Sequence, residues 1–575
     1  MNFKLCPERR TKSAFSFLSP FLVIGILALG FGCLRQTPTK ATLSRMSRPV
    51  PDDILDAITA NKTGILVSYD VRPDMQSTPR MLHITVTFDV PLTNGKPEAV
   101  SVQMPVWCPG DYHIQNFAQY VRNVTATIAA DKPLTPAQKL LPVSHPDANT
   151  WTIQPEEARR ITVAYDMPET PMGYFSENVA LRDNYAFVNG ASALMYLVGH
   201  KDARTELSTH LLDGWQAEMC LPQIIGDHVL AYANPTSTNF QAPDYDTLAD
   251  APLIMAAPEA LRTSLFRLKR PTGDDVKPSA EANVTIYRPI FFGNVKPLPD
   301  ISVYNKTLER IARAETQIMG GSSNTAYEFI FEVNGRGGGL EHLNACRLPF
   351  FPGESMEQAA PFIAHEFFHQ WNVKRIRPRV LGPFDYIKSP RTRNLWFAEG
   401  VTDYYAWAAT RRAGLRTEKQ FFTHWRRSIA EMQTNPARLK VTADQASWTV
   451  WESGNSQGNG GLSYYDKGAL IGLCLDLKIR HVTQNRRSLD DVMRALLQKG
   501  APPHAGYGED ELRDVINTVA QENLTSFYNL LARSTQEMPF AECLSYAGLD
   551  STLTPIAQAT PAQIALRTAW AAETN

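Results

Sequence analysis

Residues 362–373, FIAHEFFHQWNV, restrict the possible folds of this chain more than any other stretch. Ile363, Phe367, Phe368 and Trp371 demand burial, yet His365, Glu366 and His369 lie among them. Burying such polar groups without partners is costly, so the fold must supply something that satisfies them. On a helix, residues i and i+4 lie on one face, so His365 and His369 point at a single spot. Two imidazole nitrogens there can bind a metal ion. Glu366, beside the first histidine, can reach a water at that ion. This is the HExxH arrangement of two zinc ligands and a carboxylate general base. A bare HExxH also fits a helix with two core histidines, so the neighbouring segments have to decide.

A catalytic zinc takes three protein ligands and keeps a fourth position open. In NLWFAEGVTDYYAWAA, which reads as a second helix, Glu399 is the best third ligand. Asp403 follows it by four on the same face, where a carboxylate can accept the second ring N–H of a histidine ligand. SYYDKGALIGLCLDL (463–477) starts another apolar helix with a tyrosine. The Tyr465 hydroxyl can donate to a developing oxyanion, and Tyr464 is its adjacent competitor. GRGGGLEHL (335–343) offers Gly338 and Gly339, which let a backbone approach a ligand, and then Glu341, which can receive a cation such as a peptide α-ammonium. Taken alone, Tyr465 fits a core aromatic equally well, and Glu341 fits a solvated loop residue better.

A length of 575 residues exceeds what one core serves, so two or more domains are expected. With 43% hydrophobic and 20% charged residues the composition is that of an ordinary globular protein. The net charge is −1 without a long basic run, which argues against nucleic acid as a partner. Lys4, Arg9, Arg10 and Lys12 precede the apolar run 14–32, the pattern of an export signal and long enough for an anchor. Cys33 follows Gly30-Phe31-Gly32, which matches a bacterial lipoprotein cleavage site except for Phe31. The expected location is therefore the bacterial periplasm or cell envelope, with membrane association through the N-terminal segment only. Of seven cysteines (6, 33, 108, 220, 346, 474 and 543), five remain beyond the leader without CxxC spacing. They read as small core residues, with room for one pair if the protein is exported. From about 61 to 250, GILVSYDV, HITVTFDV and AVSVQMPV alternate partly and are broken by Pro, Asn and Gly, which points to an antiparallel sandwich. PDISVYNKTLERIARAETQIMGG reads as an amphipathic helix, YEFIFEV as a strand, and helical patterns dominate from 355.

Together, HEFFHQWNVKRIRP, LWFAEGVTDYY, GGLEHLN and SYYDKGAL resemble the M61 metallopeptidases, the glycyl aminopeptidases, and MPVWCPGDY (104–112) and DNYAFVNG (183–190) look similar as well. The resemblance implies an N-terminal antiparallel β-sandwich followed by a mainly α, thermolysin-like (gluzincin) catalytic domain. It implies one zinc ion on His365, His369 and Glu399, with Glu366 as base. Gluzincin aminopeptidases use a Gly-x-x-Glu strand for the substrate amine and a Tyr-x-Lys-Gly tyrosine for the oxyanion, which assigns those roles to Glu341 and Tyr465. The implied partners are peptides with a free N-terminus, with glycine preferred and then alanine. The resulting division is a leader at 1–35, a linker at 36–60, the sandwich at 61–250, the peptidase domain at 251–550 and a tail at 551–575. Family chains commonly end in a PDZ domain, which the short tail here does not provide for. Two other readings stay open: a zinc endopeptidase without amine capture, and an envelope binding protein with a relic site.

Overall fold

The computed structural model describes residues 64–573, apart from 130–138, 174, 177, 226–227, 231–238, 270–283, 323, 454–460 and 501–505. The leader at 1–35, with its apolar run and Cys33, and the linker at 36–60 lie outside the described residues.

Apolar side chains at every second position build the N-terminal domain. Strand β1 (Leu66–Asp74) buries Val67, Tyr69 and Val71, and β2 (Met81–Asp89) buries Leu82, Ile84, Val86 and Phe88. The two pair antiparallel with these residues opposite one another, Val67 with Phe88, Tyr69 with Val86 and Val71 with Ile84. Strand β3 (Arg160–Pro168) sets Ile161, Val163, Tyr165 and Met167 against the same row. A slip of one residue would turn the whole row to water, which pins the register. Among the described residues these strands belong to an eight-stranded sheet, and two four-stranded sheets contribute to the same core. One pairing departs from the expected antiparallel order: β4 (Arg204–Thr209) runs parallel to β1. Alternation has a period of two whichever way the neighbour runs, so it carries no information on direction.

Strand Leu253–Ala256 still pairs inside a four-stranded sheet of this domain, whereas Leu261–Thr263 pairs with β5 (Val284–Phe292). The change to the catalytic sheet therefore falls between these two strands. There β5, β6 (Ala326–Val333) and β8 (Ala345–Phe350) run parallel, and the two-residue β7 (Leu340–Glu341) pairs antiparallel with β8 at the edge. Every residue of β6 is buried, as befits a parallel strand covered on both faces. Helix α1 (Asn305–Met319) stops at Gly320, whose φ of 77° suits a left-handed cap. Helix α2 (Met356–Phe368) opens with a Ser355–Gln358 capping box. Helix α3 (Val401–Arg412) continues from a π-helical turn, Trp396–Gly400, and α4 (Tyr464–Val482) is buried on nearly all sides. Helix α2 packs on α1 and α3, and α4 packs on α3 and the π turn. The protein is thus a β-rich N-terminal domain followed by a helical catalytic domain.

Segment 551–575, expected to be a tail, carries the helix Pro561–Trp570. A Thr560–Gln563 capping box starts it, and Trp570 packs on Phe421 and Phe422 while its Nε1 donates to the Tyr404 hydroxyl at 3.1 Å. Two buried residues, Leu566 and Trp570, carry its apolar side, a stripe too thin to stand out among alanines. Cys108, Cys220, Cys346, Cys474 and Cys543 are all free and buried, as core residues. No helix among the described residues is long and apolar enough to cross a membrane. The two domains share buried charges: Arg288 on β5 donates to Glu218 of the N-terminal domain at 2.6 Å and to Glu328 on β6 at 2.9 Å.

Candidate metal centre

Helix α2 delivers His365 in its last turn and His369 at its C-cap. Their rings stand edge to face, and the two Nε2 atoms are 3.0 Å apart. Each Nδ1 already has an acceptor, Asp403 Oδ1 at 2.9 Å for His365 and the Asn372 carbonyl at 2.6 Å for His369. With the proton held on Nδ1, both Nε2 lone pairs face the same point. Glu399 places Oε2 3.6 Å from His365 Nε2 and 3.3 Å from His369 Nε2. Tetrahedral ligands with zinc-length bonds stand roughly 3.3 Å apart, so this triangle suits a zinc-sized ion. The three ligating atoms lie within 4.8 Å of one another, and all three residues are buried. Burial opposes charging of His365, but Asp403, Glu399 and Glu366 outweigh it and hold its pKa well above the usual range. Burial likewise raises Glu399, yet the two rings beside it keep its carboxyl below the carboxylate range. A cation is the group such a cluster suits.

Glu366 lies next to this triangle. Its carboxyl is pushed up to about 7, by burial first and by Glu341 and Glu399 in addition, against the pull of the two rings. The Glu341 carboxylate joins Glu366 and His369 in a second group whose ligating atoms lie within 4.8 Å of one another. Its Oε1 is buried without a hydrogen-bond partner and sits 3.9 Å from Lys374 Nζ. The glycines before it are needed for closeness. A Cβ on Gly339 would lie 2.1 Å from Glu366 Oε1, and one on Gly338 would lie 2.9 Å from the Phe175 ring. Arg347, buried on β8, holds this loop from below by donating to the carbonyls of Arg336 at 2.9 Å and Gly338 at 3.1 Å.

Tyr465 enters on the first turn of α4, and its ring lies over His365 with centroids 6.1 Å apart. Tyr464, its competitor, is fully buried beside it. Helix α4 comes this near because two glycines meet. A Cβ on Gly468 would lie 2.2 Å from the Trp396 carbonyl, and one on Gly400 would lie 2.4 Å from the Gly468 Cα. All nine residues expected at the site from sequence are thus gathered around one spot on β7, α2, the π turn, α3, α4 and the glycine loop.

The family model for M61 glycyl aminopeptidases matches residues 358–471, and that for the peptidase M61 N-terminal domain matches 68–257. The chain belongs to the M61 family. It is thereby a metallopeptidase, a hydrolase. No curated protein sequence matches this M61 chain. A solved aminopeptidase N family protein from Idiomarina loihiensis is similar over 83% of this chain and 78% of its own, with 21% identity and a TM-score of 0.71. An M1 zinc metallopeptidase from Deinococcus radiodurans is similar over 86% of this chain and 95% of its own, with 12% identity and a TM-score of 0.50. At these identities the likeness is one of fold.

In this M61 protein several contributors escape a reading by motif. Glu399 lies within the π turn, not in an ordinary helix, and such widened turns recur at functional sites. Asn372 stabilises the turn: its amide donates to the carbonyls of Phe397 at 2.9 Å and Ala398 at 3.3 Å, while its own carbonyl receives His369. One residue thus locks two ligand-bearing elements together. Asp250, from the N-terminal domain, lies 3.0 Å from Lys374 Nζ and 3.2 Å from His342 Nδ1, which provides Lys374 with a buried counter-charge near Glu341. Tyr112, in the MPVWCPGDY segment, donates to Glu399 Oε1 at 3.0 Å. The only available signal for Tyr112 was that its segment looks similar to the family's.

Proposed function

We propose that this M61 peptidase holds one zinc ion on His365, His369 and Glu399 and removes the N-terminal residue from peptides, with small residues preferred. The observation that carries this reading is the convergence of three ligating atoms with Glu366 beside them and, one step further, a buried Glu341 oxygen that accepts no hydrogen bond. A bound divalent ion supplies Lewis-acid polarisation and lowers the pKa of a coordinated water. Glu366 takes a proton from the attacking water and hands it to the leaving amine. Glu341 receives the α-ammonium, which restricts cleavage to the first bond. The Tyr465 hydroxyl donates to the carbonyl oxygen as charge develops there. Asp403 keeps His365 in the tautomer that presents Nε2, and Gly338 and Gly339 leave room for substrate backbone. The match to the M61 glycyl aminopeptidase model supports a preference for glycine and alanine. The N-terminal run 14–32 supports export to a bacterial envelope, with Cys33 as a candidate lipid attachment point.

A panel of Gly, Ala, Leu and Arg p-nitroanilides tests the reading, with and without chelator, alongside N-acetylated peptides. The expected result is cleavage of Gly and Ala substrates that chelation abolishes, zinc restores and acetylation blocks. Equal cleavage of free and acetylated peptides would mark an endopeptidase. No cleavage by metal-loaded protein would mark a binding protein with a relic site. Glu366→Gln should retain the metal and lose about three decades of kcat; turnover near the wild-type rate rules out Glu366 as the base.

A further inference from the structure

The segment between Val106 and Gln115 belongs to the N-terminal domain in sequence, yet it forms one wall of the metal centre. It is tightly held. Val106 N donates to the Tyr386 carbonyl at 2.9 Å, and Trp107 Nε1 donates to the Asp385 carbonyl at 2.9 Å. Trp107 and Tyr112 both stand edge-on to Trp451, with centroids 5.4 and 6.0 Å away. Gly110 leaves space for Glu341, since a Cβ there would lie 2.6 Å from Glu341 Oε2. Two residues on, the Tyr112 ring is buried and its hydroxyl meets Glu399 Oε1 at 3.0 Å. The two oxygens of Glu399 are therefore divided: Oε1 accepts from Tyr112, and Oε2 faces His365 and His369.

We propose that Tyr112 is a positioning residue for the metal centre, one that makes Glu399 present a single oxygen to the ion and so ties metal affinity to the N-terminal domain. This rests on the metallopeptidase reading of the site. The physical argument is one of restricted choice. A carboxylate free to rotate presents either oxygen, or both together. A phenol hydrogen bonded to Oε1 favours the orientation in which Oε2 alone points inward, and it draws on a charge-assisted hydrogen bond made inside a buried site. Partners of this kind behind metal ligands carry roughly 10–100-fold in metal affinity.

The test compares full-length wild type, Tyr112→Phe and Trp451→Phe. Each apo-protein is titrated with zinc against a chromogenic chelator, and the visible absorption of each cobalt(II)-loaded protein is recorded. Tyr112→Phe should bind zinc about 10–100-fold more weakly. Its cobalt bands should lose intensity, as when a ligand engages both oxygens and raises the coordination number. The rise in unfolding temperature on adding zinc should shrink in step with the affinity. Trp451→Phe loosens the same packing without removing the hydroxyl, and should keep wild-type affinity and spectrum. The inference is overturned if Tyr112→Phe binds zinc as tightly as wild type with an unchanged cobalt spectrum. It is equally overturned if Trp451→Phe weakens binding as much as Tyr112→Phe, since packing would then be the cause, or if the Tyr112→Phe apo-protein no longer folds, since the hydroxyl would then serve the fold and not the ion. Wild-type protein that takes up no metal would overturn the functional reading itself, a different outcome from any of these.

Discussion

Gly339 is packed so closely against Glu366 that a side chain at Gly339 would displace the carboxylate. A methyl group on Gly339 would occupy the position of the Glu366 carboxylate, 2.1 Å from Oε1. Gly339 is not at positive φ, so alanine fits its backbone and the conflict falls on the side chain alone. Gly339→Ala should therefore cost at least about 100-fold in kcat/KM, as a displaced catalytic group does. Stability measured by urea unfolding should change by less than about 1 kcal/mol. Normal turnover in the Gly339→Ala enzyme would show that Glu366 is not needed where it stands. Glu341→Ala should reduce hydrolysis of free peptides far more than that of N-acetylated ones, compared as kcat/KM on matched pairs; a uniform loss contradicts amine capture. At this scale the sequence was readable where chemistry follows from spacing, as with His365, His369 and Asp403. It was unreadable where the acting group is a backbone carbonyl, as at Asn372. It was also unreadable where the partner lies far off, since Tyr112 is 287 residues from Glu399 along the chain.

Three elements converge on the metal centre: α2, the π turn leading into α3, and the start of α4. Their spacing depends on Gly400 and Gly468, which let the π turn and α4 touch backbone to backbone. Gly468→Ala would set its methyl 2.2 Å from the Trp396 carbonyl, and backbone cannot rotate away as a side chain can. The expected cost is about 1–3 kcal/mol by denaturant unfolding, as for other overpacked sites. Helix α4 should shift away from His365 and carry Tyr465 with it, so kcat should fall more than KM rises. Wild-type kcat in a destabilised Gly468→Ala protein would separate Tyr465 from the chemistry. Strand and helix identities here followed from apolar periodicity, and the Gly320 stop of α1 from turn chemistry. The π turn did not follow, because a pattern read at 3.6 residues per turn has no place for a wider one. The terminal helix is not legible in the sequence because its burial depends on Phe421 and Phe422, which lie far from it along the chain.

Across the whole molecule, Arg288 joins the two domains through Glu218 and Glu328, all three buried. Arg288→Met would leave two carboxylates without a partner, with an expected loss of about 3–5 kcal/mol. The Glu328 carboxyl is pushed from an ordinary 4.5 to about 7, by burial first and by Glu218 in addition, against Arg288. The folded protein therefore holds this proton more tightly than the unfolded chain does. The contribution of this group to stability is complete below 4.5, declines as pH rises towards about 7, and is level above that. Glu328→Gln should flatten that portion of the stability–pH curve, measured by urea unfolding at several pH values; an unaltered slope assigns the effect elsewhere.

The wall formed by Gly110 and Tyr112 also bears on how such enzymes are reduced or recombined. A fragment trimmed to the helical half would retain every zinc-ligand candidate, yet it would lack the groove for Glu341 and the hydroxyl that steadies Glu399. Exchanging the β-rich half between distant cousins should therefore alter zinc retention along with substrate choice, so that the half without a single ligand still sets how firmly the ion is kept.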